Sequence, residues 1–183
     1  SASTGLLGQQ LTLADPGGAE QITLRALLNH TSGLADGGIP DLRLERPATT
    51  VDRIATLHDA HLVAPPGSEF HYTDANYQIL ASVVESASGQ PFSDYLQAHI
   101  FAPLQMTQTV NVLNSFEVAQ RAPALPQGHL LAYGLPVASG EEQGYLGGSA
   151  GVITTAADMA HYLIMHSGGG RFIFSLIDQE GEI

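Results

Sequence analysis

A tyrosine and an aspartate two residues apart, in Tyr72-Thr73-Asp74, stand between the rigid turn Pro65-Pro66-Gly67 and a long apolar-periodic run ending at Gly89. The pattern reads as a turn, a short extended piece carrying Tyr72, and a helix opened by Thr73 or Asp74. Such a junction presents a phenol and a polar partner beside a helix N-terminus, a usual address for substrate-handling groups. The structural alternative is that Tyr72 buries its ring and satisfies its hydroxyl locally while Asp74 caps the helix. These residues alone leave both readings open.

Three other groupings could carry chemistry. Gly147-Gly148-Ser149-Ala150-Gly151 matches the G-x-S-x-G pattern of a nucleophile elbow. An elbow needs a buried strand entering the serine and a helix starting directly after it. Glu141-Glu142-Gln143-Gly144-Tyr145-Leu146 is no buried strand, and Val152, Ile153 and Thr154 intervene before the next helix. An esterase built on Ser149 with His129, His161 or His166 therefore lacks the expected flanks. In His30-Thr31-Ser32-Gly33 the serine adjoins a histidine, but neighbours at a helix C-terminus rarely converge on one atom, and short hydroxyls there tie off backbone groups. His58 and His61 share a helical face in a metal-like spacing, yet no third ligand follows by spacing, so surface or capping roles fit them better. No cofactor and no metal is expected.

The elements that must hold these residues are mostly helices. Thr23 caps a short helix with Leu24, Leu27 and Leu28 on one face, closed by Thr31-Ser32-Gly33. Thr50 opens a helix over residues 51–61 with Val51, Ile54 and Leu57 as its buried stripe. The central helix spans about residues 75–87, with Tyr77, Leu80, Val83, Val84 and Ala87 apolar and Gly89 as its stop. Pro91 or Phe92 begins the next, which turns Phe92, Tyr95, Leu96 and Ile100 or Phe101 inward and ends at Pro103. Residues 111–113 and 129–133 read as short strands, and Thr155 with Asp158 forms a capping box for a last helix ended by Gly168-Gly169-Gly170. The expected fold is mainly α, with a lead-in at 1–20, a helical domain at 21–170 and an apolar tail at 171–183.

A length of 183 residues with 44% apolar content suits one domain with a sizeable core. The formal charge of −12, with six arginines and no lysine, argues against nucleic acid and anionic lipid as partners. No apolar run reaches bilayer-spanning length. The chain has no cysteine, so neither a disulfide framework nor a thiolate metal site is available.

Residues 22–34 (ITLRALLNHTSGL), 65–97 (PPGSEFHYTDANYQILASVVESASGQPFSDYLQ), 100–106 (IFAPLQM) and 147–163 (GGSAGVITTAADMAHYL) resemble the serine β-lactamase and penicillin-binding-protein superfamily, in its class C β-lactamase, D,D-peptidase and esterase branch. The resemblance implies the helical region of an α+β fold, and periplasmic or extracellular placement. It implies an S-x-x-K helix bearing the nucleophile, a Tyr-x-Asn bearing a base and a substrate contact, and a later Lys-Thr-Gly or His-x-Gly strand. Tyr72 takes the place of the base, and Asp74 that of the asparagine. With no lysine, neither S-x-x-K nor Lys-Thr-Gly is present, so the nucleophile is expected before Ser1 and the closing sheet after Ile183. The implied function is part of a serine hydrolase acting on a β-lactam, a D-Ala-D-Ala peptide or an ester, inactive alone, with a small acyl substrate if completed and with a homo-oligomer or a complementing chain as protein partner. The alternatives are a non-catalytic helical module that self-associates and the Ser149 esterase.

Overall fold

Thr23, Thr73 and Thr155 each stand extended before a helix, and each hydroxyl accepts a backbone N–H of the first turn. In the computed structural model, which describes residues 11–15, 17–36, 49–122, 125–138 and 145–169, these caps start three of the eight described α-helices. In chain order the helices are α1 (Gly18–Gln21), α2 (Leu24–Leu28), α3 (Thr50–Ala55), α4 (Asp74–Ser88), α5 (Phe92–Leu96), α6 (Ser115–Arg121), α7 (Gly147–Ala150) and α8 (Ala156–Ser167). A 3₁₀ turn at Thr56–Asp59 continues α3, and a π turn at Gln97–Phe101 continues α5. The described strands are two antiparallel pairs. β1 (Val110–Asn111) pairs with β4 (Val152–Ile153), and β2 (His129–Ala132) pairs with β3 (Leu135–Ala138). The mainly α architecture is the expected one.

The central helix α4 ends at Gly89, whose φ of 70° supplies the left-handed stop. Its inner face differs from the apolar count. Ala75, Asn76, Gln78, Ile79, Ala81 and Ser82 are buried, while Tyr77 and Ala87 are exposed. Asn76 and Gln78 are satisfied by neighbouring elements, and Ser82 by the Ile79 carbonyl of its own helix, which rotates the helix away from its purely apolar stripe. Leu28 also faces outward, 53% exposed, as does Val51 at 76%. Thr49, not Thr50, caps α3, in a reciprocal capping box with Asp52. Thr50 turns inward, bonding Glu85 Oε1 at 3.0 Å and the Tyr145 hydroxyl at 3.0 Å, so Val51 is turned out.

The larger core joins Leu27, Leu34, Leu57 and Ile79 with Leu11 and Leu13, so packing reaches nearer the N-terminus than residue 21. A smaller one joins Phe101, Leu104 and Met106 to Tyr162 and Met165 of α8. At the start of α8 only half of the expected capping box forms. Asp158 Oδ2 instead accepts from the Gln108 N–H at 2.8 Å and the Thr109 hydroxyl at 2.7 Å, tying α8 to the loop before β1. Gln105 takes a left-handed backbone with φ 55°. The β2–β3 hairpin turns through Tyr133 and Gly134, both at positive φ, and leaves Leu130, Leu131, Tyr133 and Leu135 exposed. The apolar tail of residues 171–183 and the first ten residues of the lead-in lie outside the described residues. Among those described, no helix is long and apolar enough to cross a membrane.

Candidate functional site

The loop that carries Tyr72 is laid on the His30-Thr31-Ser32-Gly33 turn by three backbone bonds. Val63 N–H donates to Gly33 O at 2.8 Å, Gly67 N–H to Thr31 O at 2.6 Å, and His71 N–H to His30 O at 2.8 Å. Gly33 is required here twice over: its φ is 85°, and a β-carbon would stand 2.2 Å from the Ala64 carbonyl oxygen. His30 has φ 56°, a conformation uncommon outside glycine and asparagine, and this lifts its ring toward the loop. The ring lies 4.7 Å from that of Tyr72 and 5.2 Å from that of Tyr77, centroid to centroid, with Phe70 edge-on at 5.8 Å.

Beneath this aromatic group runs a line of buried hydrogen bonds. The Leu34 N–H donates to Ser32 Oγ at 3.1 Å, and the Ser32 hydroxyl donates to Asn76 Oδ1 at 2.6 Å. Asn76 Nδ2 in turn lies 3.0 Å from His30 Nδ1. Ser32 and Asn76 are both fully buried. Ser32 is thus a structural hydroxyl, the role expected for it. Asn76 was hidden from apolar counting; its sequence signal is a polar residue on the same helical face as Ile79.

Tyr72 and Asp74 are brought together at the open surface of the junction, with the Tyr72 hydroxyl donating to Asp74 Oδ1 at 3.3 Å. Tyr72 is 64% exposed, so its ring is not buried. The negative charge of Asp74 pushes the phenol above the ordinary tyrosine value, and the hydrogen bond between them acts in the same direction. Thr73 provides the cap, leaving Asp74 as the first helical residue, where its charge complements the helix dipole. Asp74→Asn is expected to lower the Tyr72 titration midpoint, read by ¹³C-tyrosine NMR against Tyr72→Phe. The same change removes roughly 0.3–1 kcal/mol of helix stabilisation.

A cation does reach this neighbourhood. Arg53 of α3 is buried, its Nε donates to Gln78 Oε1, and burial pulls its guanidinium below the ordinary range while the Asp74 charge opposes that pull. Gln78 passes the connection on, with Nε2 donating to Ser149 Oγ at 3.1 Å. Ser149 therefore sits inside the one-turn helix α7, its hydroxyl donating to Leu146 O at 3.3 Å. The glycines around it have a packing reason. A β-carbon on Gly148 would stand 2.3 Å from the Tyr77 carbonyl oxygen, one on Gly147 2.4 Å from the Tyr145 hydroxyl, and one on Gly151 2.1 Å from the Val112 carbonyl oxygen.

His58 bonds Ala55 O and pairs with Asp59 at 3.0 Å, while His61 faces Asp15 at 3.6 Å. Among the described residues no cluster of three or more metal-ligating side chains forms. A cavity of about 410 Å³ lies between α3 and α4, lined by Thr50, Ile54, Ser82 and Glu85 among others, and includes none of the Tyr72 group.

Comparison with known proteins shows the family. The Beta-lactamase family model matches residues 9–179, and the chain belongs to that family. Penicillin-binding protein 4 of Amycolatopsis lactamdurans is 32% identical over 170 residues, covering 86% of this chain and 41% of that protein. Among solved structures, the penicillin binding protein from Bacillus halodurans is 25% identical with a TM-score of 0.64, over 90% of this chain and 52% of that one. The octameric penicillin-binding protein homologue from Pyrococcus abyssi shares the fold, with 24% identity and a TM-score of 0.68 over 94% of this chain and 43% of that one. The chain spans about half the length of these proteins or less.

Proposed function

We propose that this chain is the Tyr72-bearing portion of a β-lactamase-like serine hydrolase, performing acyl transfer on a β-lactam, a D-Ala-D-Ala peptide or an ester. The nucleophilic serine and its lysine would come from polypeptide outside these residues. The observation that carries the reading is the Tyr72 phenol, exposed at the N-terminus of α4 and shelved on His30 in a chain of this family.

In this reading a serine hydroxyl attacks the substrate carbonyl, its proton passes to the Tyr72 oxygen, and Tyr72 returns it to the leaving group. Such a base must first be ionised. The negative charge of Asp74 opposes that step by holding the phenol up, with Asp36 and Tyr77 acting in the same direction, so a cationic side chain from the completing polypeptide is required. Asp74 would orient the phenol through the 3.3 Å bond and offer substrates an acceptor where asparagine would offer a donor as well. This favours substrates that present an N–H or a cation to residue 74 over those that present a carbonyl.

The chain alone should then carry no acylable nucleophile. Intact mass of the 183-residue protein after exposure to a reactive penicillin and to a fluorophosphonate is expected to equal that of the untreated chain. A stoichiometric adduct on the chain would place a nucleophile within it and overturn the division of the site.

A further inference from the structure

The hydrogen bonds under the aromatic group run in one direction. Ser32 Oγ accepts from the Leu34 N–H, and the Ser32 hydroxyl donates to Asn76 Oδ1. That fixes the Asn76 amide with its Nδ2 toward His30, and an N–H donor facing Nδ1 requires Nδ1 to accept. The Thr73 N–H points at the same nitrogen from 3.5 Å. The imidazole proton must then lie on Nε2. With the left-handed backbone at His30 and the His71-to-His30 bond, both the plane and the tautomer of the ring are set before Tyr72 is placed on it.

We propose that His30 is a positioning residue for Tyr72, locked as the Nε2–H tautomer by the chain Leu34–Ser32–Asn76, and that its ring is the shelf that keeps the phenol at Asp74. The inference rests on the reading of Tyr72 as the proton-transfer group. A phenol on a surface loop has several staggered rotamers. Here the ring beneath it, 32° from parallel, selects one of them, the one in which Oη meets Asp74. Ser32 and Asn76 are buried because their task is to hold the shelf, and not to touch substrate.

The test has two parts. In ¹⁵N-histidine NMR of the chain, His30 should show an unprotonated Nδ1 and a protonated Nε2, and Ser32→Ala, which frees the Asn76 amide to turn, should convert this to a mixture of tautomers. A protonated Nδ1 in the native chain, or no change in Ser32→Ala, overturns the locking. His30→Asn keeps a side chain suited to the left-handed backbone and an acceptor for Asn76, but removes the ring. Its expected effect is a fall of the Tyr72 midpoint toward that of an ordinary tyrosine as the hydroxyl leaves Asp74. In the completed hydrolase it should lower kcat about tenfold or more with KM little changed. An unaltered Tyr72 midpoint overturns the positioning role. A shifted midpoint in a completed protein that transfers no acyl group supports the shelf and sinks the hydrolase reading instead. Should His30→Asn fail to fold, the tautomer measurement in Ser32→Ala still decides.

Discussion

Gly148→Ala is expected to be among the most damaging single substitutions in the described chain, and Ser149→Ala beside it clearly milder. The α-carbon of Gly148 rests on α4, where an added β-carbon would meet the Tyr77 carbonyl oxygen at 2.3 Å and Ala81 Cβ at 2.7 Å. Neither neighbour is the end of a flexible side chain, so relief requires α7 to back away from the central helix. Overpacking typically costs 1–3 kcal/mol, and contact with backbone puts this case at about 3 kcal/mol or more. For a domain of this size that corresponds to a fall in Tm of roughly 6–12 °C by thermal circular dichroism. Removing the Ser149 hydroxyl forfeits one bond to Leu146 and one from Gln78, about 1–2 kcal/mol together. An elbow serine would be separated from this by labelling, since Ser149→Ala would then abolish modification by a fluorophosphonate.

In the completed hydrolase, Tyr72→Phe is expected to slow acylation by a reactive penicillin by about 10²- to 10⁴-fold, the usual worth of a positioned proton-transfer group. The substitution keeps the ring on His30, so stability should change little; the lost hydroxyl makes a single exposed bond, to Asp74. Stopped-flow acylation separates the two effects, since a packing defect would lower Tm in step with the rate. An acylation rate within a few fold of the native one, with the fold intact, would remove Tyr72 from the reaction.

The parts of this site legible in the sequence were the local ones. Thr23, Thr73 and Thr155 advertise their caps, and Gly89 its stop, because each acts on backbone groups within four residues. The closeness of Tyr72 to Asp74 follows from a two-residue spacing at a helix start. His30 and Asn76 are 46 residues apart and meet only through tertiary folding, so no period reveals their bond. The same cause misplaced Leu28, Val51 and Tyr77. An apolar count rotates each helix to bury the most carbon, whereas Thr50, Asn76 and Gln78 carry buried hydrogen bonds that rotate it differently. The G-x-S-x-G match shows the complementary limit. Its glycines are needed, for close approach to α4 and β1, and not for an elbow.

If Tyr72 belongs to an acyl-transfer site whose nucleophile lies outside these residues, the adduct must form on that outside segment and depend on the phenol. Peptide mapping of the penicillin adduct formed on the protein that carries this chain together with an S-x-x-K segment tests this most directly. One adduct is expected, on the serine of that segment, lost or slowed at least a hundredfold in Tyr72→Phe. An adduct on Ser149 or Ser32, or an S-x-x-K adduct formed at full rate without the Tyr72 hydroxyl, would contradict it.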